Sequence, residues 1–171
     1  MHPAQLHPAA RPAEQLLAEC DLRQLRRSGP GGQHRNKVAT AVVLGHRPTG
    51  VKAEANERRS QAENRSVALR RLRLNLALEI RCSRDPDAAP SLLWQSRCRG
   101  ARIGVSASHE DFPVLLAEAL DVVSACDADV KAAAARLCCT ASQLVKLLQR
   151  EPRARALLNR WRRERGLHPL Q

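Results

Sequence analysis

The sequence predicts an α+β protein: a small sheet-and-helix domain, then an all-helical C-terminal module with a helix-turn-helix-like pair. Three observations predict it. Two β-prone runs, Val38–His46 and Val51–Asn56, flank the turn residues of RPTG, which reads as a hairpin. Leu69, Leu72, Leu76 and Ile80 then recur at helical spacing. From Glu110 onward every apolar period is helical.

The elements follow in order. Residues 1–13 are Pro-rich and expected to be mobile. In EQLLAECDLRQLRRS, the first part suits a short helix and CDLRQLR a strand. The long helix after the hairpin starts at a capping box, Ser60 with Glu63, and should lay its leucine face on the hairpin. CSRDPDAAPS reads as a linker and 82–108 as a linker or irregular segment. EDFPVLLAEALDVVSA places Leu115, Leu116, Ala119, Leu120 and Val123 on one side, with Pro113 at the start. DVKAAAARL and ASQLVKLLQR form a helix pair joined by CCT, with Thr140 capping the second helix. Pro152 opens a last helix that ends at Gly166. The expected division is a mobile 1–13, a domain over 14–81, an irregular 82–108 and a helical module over 109–171.

Composition narrows the partners. The net charge is +12, which favours a polyanion. Residues 20–81 carry 14 Lys and Arg against 5 acids, whereas 109–130 carry six acids and no Lys or Arg. Residues 131–165 swing back to ten cations against two acids. Aromatic content is only 2%, which argues against a base-stacking platform. The six cysteines include no Cys-x-x-Cys pair and read as reduced thiols of a cytoplasmic protein, with no metal and no cofactor. No secretory signal and no apolar run of membrane-spanning length is present, so no membrane partner is expected.

Residues 28–37 read SGPGGQHRNK. This is neither a Walker loop nor a dinucleotide fingerprint, because no Lys-Ser or Lys-Thr follows and no βαβ unit surrounds it. Phosphate binding, a hairpin turn, a flexible linker, or insertion into another molecule's active site remain. Insertion accounts for the lack of bulk, since glycines let a backbone approach closely. It also accounts for Arg26, Arg27, Arg35 and Lys37 around it, which could grip phosphates.

SGPGGQHRNK, with PTG in the hairpin and RSQAENR before the helix, resembles the catalytic domain of bacterial-type peptide-chain release factors, the GGQ proteins, over about residues 20–80. The resemblance implies hydrolysis of the peptidyl-tRNA ester in the ribosomal peptidyl-transferase centre. Gly31, Gly32 and Gln33 would be the catalytic tripeptide. The Gln33 backbone N–H would stabilise developing negative charge, and its side chain would select water over larger nucleophiles. Gln33 would also be methylated by a glutamine methyltransferase, a second partner. Arg26, Arg27, His34, Arg35, Asn36, Lys37, Arg59, Ser60, Gln61, Asn64 and Arg65 would contact 23S-type rRNA or the P-site tRNA. For Arg59, Ser60, Gln61 and Asn64, bracing of the glycine loop is an equal alternative. Arg35 departs from the family's usual Val and is expected to add a phosphate contact. His34 is assigned a backbone or rRNA contact over a general-base role.

About twenty residues precede the domain, too few for a codon-reading domain, so a short, codon-independent factor acting in termination or rescue of stalled ribosomes is expected. The C-terminal helices could bind RNA or a protein that delivers the factor. A monomer is the default. The reading kept beside this one is a helix-turn-helix nucleic-acid-binding regulator, presenting Ser142, Gln143 and Lys146, with the GGQ domain as a non-catalytic RNA-binding surface.

Overall fold

The computed structural model describes residues 6–25, 40–85 and 88–170. A 3-10 turn at Pro8–Ala10 leads into α1 (Ala13–Ala18) and then β1 (Cys20–Leu25). β2 (Ala41–His46) and β3 (Lys52–Ala55) complete a three-stranded antiparallel sheet of order β1-β2-β3. α2 (Gln61–Glu79) is the long helix. α3 (Leu92–Arg97) runs into a two-stranded ribbon, β4 (Cys98–Arg99) and β5 (Arg102–Ile103). Four helices follow: α4 (Phe112–Ala125), α5 (Val130–Arg136), α6 (Ala141–Gln149) and α7 (Pro152–Glu164). Sheet plus helices gives the α+β class that the sequence predicts. No helix among the described residues is long and apolar enough to cross a membrane.

The hairpin forms as the turn residues require. His46 N–H donates to the Val51 carbonyl at 2.9 Å, and the Gly50 N–H to the His46 carbonyl at 2.8 Å. Gly50 sits at φ +74°, where a side chain is strained. Val42 and Leu44 of β2 pair with Ala55 and Ala53 of β3, so all four share one face, and all are buried. That face meets α2. Asn64, Ala68, Leu72 and Leu76 lie four residues apart along α2 and are fully buried. The small Ala residues on both surfaces let helix and sheet approach closely.

α2 does not end the packing. Its other side meets α4, which is buried over nearly its whole circumference, including Phe112, Leu115, Leu116, Leu120 and Val123. A helix buried on all sides is a core helix, not the one-sided helix expected. Its two central acids are buried with it. Glu118 accepts from the Arg84 guanidinium at 2.7 Å and from the Ser91 N–H at 2.8 Å. Asp121 accepts from Arg81 at 3.1 Å and from the Cys82 N–H at 3.2 Å. The acidic stretch is thus partly an interior ion-pair system and not a free acidic surface.

Two segments differ from expectation. Ala9 is fully buried, and His7 holds its own turn: Nδ1 accepts from the Ala9 N–H at 3.1 Å, and Nε2 lies 3.2 Å from the Ile80 carbonyl. These contacts fasten residues 7–10 to α2 and α4 where mobility was expected. The irregular segment 82–108 contains α3 and the ribbon. Trp94 is the reason: it is buried, and its Nε1–H donates to the Leu137 carbonyl at 2.9 Å. One hydrophobic cluster runs from Ala9 through the sheet and α2 to Leu158 of α7.

The helix pair forms with both helices capped, the second at Thr140 as the sequence places it. Asp129 accepts from the Lys131 and Ala132 N–H groups, and Thr140 from the Gln143 N–H at 3.2 Å. Ala133 and Leu137 are buried on one side of the turn, Leu144 and Leu147 on the other. Ser142 and Lys146 are exposed and Gln143 half-buried.

Candidate functional site

β1 and β2 pair in register from Cys20 opposite His46 to Leu25 opposite Ala41. The chain therefore leaves the sheet at Leu25 and returns beside it at Thr40. Residues 26–39 lie outside the described residues. Gly31, Gly32, Gln33, Arg26, Arg27, His34, Arg35, Asn36 and Lys37 fall among them. The frame that receives both ends of this segment is described.

Asn64 is the centre of that frame. It lies one turn into α2, at the head of the buried Ala68–Leu72–Leu76 stripe. A polar side chain with no exposure needs every hydrogen bond it can make. Its Nδ2 donates to the Thr40 carbonyl at 2.7 Å and to the Arg58 carbonyl at 3.0 Å, and its Oδ1 accepts from the Arg58 N–H at 2.9 Å. One amide thus ties the returning end of the glycine segment to the turn that precedes α2. Asn64 is fully buried and its amide is occupied by these backbone partners.

Ser60 caps α2, its Oγ accepting from the Glu63 N–H at 3.5 Å. Arg59, Gln61 and Arg65 are exposed, and no described carboxylate pairs with Arg59 or Arg65. Arg71, by contrast, is neutralised: it donates to Glu57 at 2.7 and 3.1 Å and to the Glu54 carbonyl at 2.8 Å. Partial burial would raise the Glu57 carboxyl. The backbone N–H groups of Glu57 and Asn56, together with Arg71, outweigh it and hold the acid below its usual range. Gln61, Ala62 and Arg65 line a hollow with Leu22, Gln24 and Val42 of the sheet. Leu22 is 40% exposed there. The arrangement is a fixed platform at the base of the glycine segment, with unneutralised guanidinium groups on its rim.

The sequence reading missed the partners of Asn64, Thr40 and Arg58, because both act through the backbone. The available signal was Asn64 itself, a polar residue in register with an apolar stripe.

At the other end of the sheet, His46 is buried. Its Nδ1 lies 2.7 Å from Thr49 Oγ1 and its Nε2 3.1 Å from Glu19 Oε2. Burial, with Arg11 and Arg47 nearby, pushes its pKa down. This histidine organises the hairpin turn against α1. The ligand atoms of His7, Cys82 and Asp121 lie within 4.8 Å of one another. They do not suit a cation. Both His7 nitrogens face backbone partners, the Asp121 carboxylate is paired with Arg81, and burial pushes the Cys82 thiol pKa up. All six cysteines are free.

The RF-1 domain family matches residues 16–98, a span that contains the sheet, the glycine segment, the Asn64 clamp and α2. Residues 16–98 are thus similar to a release-factor domain of the bacterial type. Relatives agree. Peptide chain release factor 1 of Streptococcus thermophilus is 46% identical over 69 residues, which is 37% of this chain and 19% of that protein. The Streptococcus agalactiae and Streptococcus pyogenes release factors 1 are 45% and 44% identical over the same length and shares. The chain spans about a fifth of the length of these relatives.

Proposed function

We propose that this protein hydrolyses the ester bond of peptidyl-tRNA on the ribosome, inserting SGPGGQHRNK into the peptidyl-transferase centre. The observation that carries the reading is the Asn64 clamp at the base of that segment, within a release-factor domain. A loop that works inside another molecule needs its ends held rigidly, and the clamp does this without occupying the loop. In this reading Gly31 and Gly32 allow close backbone approach. The Gln33 N–H is a fixed donor for the oxyanion, a role worth roughly 3 kcal/mol in other acyl transfers. The Gln33 side chain admits water as the nucleophile. Arg59, Gln61 and Arg65 on the platform rim, with Arg26, Arg27, His34, Arg35, Asn36 and Lys37, engage rRNA or tRNA phosphates and bases.

The finer parts of the proposal are codon independence and a role in rescue of stalled ribosomes in the cytoplasm. A glutamine methyltransferase acting on Gln33, and a delivery protein for the C-terminal helices, belong to the same reading. The test is release of labelled peptide from ribosomes with an empty A site, a stop codon or a sense codon. Codon-independent release that disappears in Gln33→Ala is expected. Release confined to the stop codon would overturn codon independence. Equal release by Gln33→Ala would overturn the assigned chemistry.

The reading as a sequence-specific DNA regulator is favoured by one observation only, the capped α5–α6 pair with Ser142 and Lys146 exposed. It requires tight binding to a defined duplex and no peptide release.

A further inference from the structure

Most arginines in the middle of the chain are spoken for. Arg81 pairs with Asp121, Arg84 with Glu118 and Arg97 with Asp111, the last at 2.8 Å through Nε, while Arg150 donates to the Val105 carbonyl. Arg99 and Arg102 break this pattern. They stand directly opposite each other on the β4–β5 ribbon, both exposed, and no described carboxylate pairs with either. Like charges facing across an antiparallel pair oppose its formation. A ribbon of two residues per strand has few bonds with which to resist that repulsion, so a purely structural ribbon would not place them there.

The ribbon is nevertheless held in place. Ile103 is buried, the Gly104 N–H donates to the Arg97 carbonyl at 2.9 Å, and the Thr140 N–H reaches the Ala101 carbonyl at 3.5 Å. The last contact joins the ribbon to the start of α6. Arg99 and Arg102 share an open polar hollow with Gln143 of α6, and no acid lines it. The Gln143 amide has no partner among the described residues, and the exposed Lys146 follows one turn on.

We propose that the β4–β5 ribbon and the first turns of α6 form a second RNA-binding face, separate from the glycine segment, that grips the phosphate backbone of structured RNA. Two guanidinium forks held side by side suit successive phosphates, and Gln143 and Lys146 extend the contact along the strand. The absence of an exposed aromatic makes it a backbone reader and not a base-stacking surface. The choice of RNA over DNA rests on the function proposed above.

The experiment measures affinity of the full chain for a labelled RNA stem-loop, and for the DNA stem-loop of the same sequence, across a salt series. Arg99→Gln/Arg102→Gln is compared with Arg155→Gln/Arg163→Gln, two exposed arginines of α7 whose loss changes the charge equally. The ribbon variant should bind RNA roughly tenfold more weakly, with a salt slope flatter by about 1–2, the mark of two lost phosphate contacts. Circular dichroism of both variants should match wild type, since all four side chains are exposed, and melting should be no lower, with the ribbon variant gaining slightly from the lost repulsion. An equal loss in the α7 variant, an unchanged ribbon variant, or preference for the DNA each overturns the proposal. So does displacement of the RNA by polyglutamate at matched charge, which would mark an acidic protein surface as the partner. Peptide release by wild type and Gln33→Ala is read in parallel. Release without a ribbon effect on RNA sinks this inference and spares the hydrolase reading; the reverse pattern sinks the hydrolase and not the RNA-binding face.

Discussion

Replacing Asn64 tests the link between fold and site most directly. Its orientation is set by chemistry: the carbonyls of Thr40 and Arg58 only accept, and the Arg58 N–H only donates, so Nδ2 must face the first two and Oδ1 the third. Asn64→Ala deletes three hydrogen bonds. At a net value of about 1 kcal/mol each, the loss approaches 3 kcal/mol. Arg58 is exposed and Thr40 half-buried, so water can reach part of the vacated partners, and we expect about 2–3 kcal/mol. Asn64→Asp keeps the size but turns one oxygen of a buried carboxylate toward two carbonyls. It should cost about 1–2 kcal/mol more than alanine, by repulsion and desolvation. Urea denaturation at neutral pH reads both values. Hydrogen exchange at the Arg58 amide, which loses its acceptor, localises the effect. Peptide release should fall more steeply than stability, because the Thr40 end of the glycine segment is freed while the remaining core holds. A loss under about 0.5 kcal/mol for alanine, or an aspartate no worse than alanine, would refute the clamp as argued.

Other outcomes follow from the same structure. Trp94→Ala should destabilise the whole chain by about 3–5 kcal/mol in a single denaturation transition, since Trp94 joins α3 to the turn after α5; two separate transitions would contradict the shared core. Trp94→Phe keeps most of the volume but leaves the Leu137 carbonyl unpaired, at a cost of about 1–3 kcal/mol by the same assay. Burial pushes Asp121 up to about 6 against the opposing pull of Arg81, so the native state binds its proton more tightly than the unfolded chain does. Its contribution should fall as pH rises from about 4 to 6, by up to roughly 3 kcal/mol, and denaturation of Asp121→Asn across that window should lack this dependence. His7 and His46, both lowered by burial, act with the opposite sign, weakening the fold as pH drops below the ordinary histidine range; His46→Gln should flatten that limb. Gly50→Ala should cost about 1 kcal/mol at φ +74°, with Thr49→Ala as a neighbouring control for lost hydrogen bonding to His46.

How much of this was legible depends on whether the signal is local. The hairpin, the Ser60 and Thr140 caps and the helix-turn-helix spacing were legible because each is decided within a few residues. The ribbon was not: two residues per strand carry no readable period, and Arg99 and Arg102 look like ordinary surface cations until register sets them face to face. The burial of Glu118 and Asp121 was hidden for a different reason. Their partners Arg84 and Arg81 lie 34 and 40 residues away, so nothing near α4 announces that its acids are interior. The GGQ tripeptide is a case of its own, since its signal is the composition of residues 28–37 and not a periodicity.

The interior pairs also bear on how the two halves act together. Asp121 and Glu118 on α4 hold Arg81 and Arg84, the residues that follow α2, and Arg81 lies over the Trp161 ring of α7 at 5.8 Å. A connection made only of exposed linker would leave the C-terminal helices free to reorient. Here buried charge fixes the angle, because breaking either pair would strand an ion in the interior at a cost of about 3–5 kcal/mol. The segment after α2, α4 and α7 are therefore held in a fixed relation. In the function proposed above, a ribosome that accepts the glycine segment would also have to accommodate the ribbon and α6 at that offset. Arg81→Met with Asp121→Leu, an apolar replacement of the pair, separates rigidity from charge: stability should be retained or gained, whereas Asp121→Leu alone should lose it. If the single change proves harmless, the pair does not set the angle and the two halves must be held by apolar packing alone.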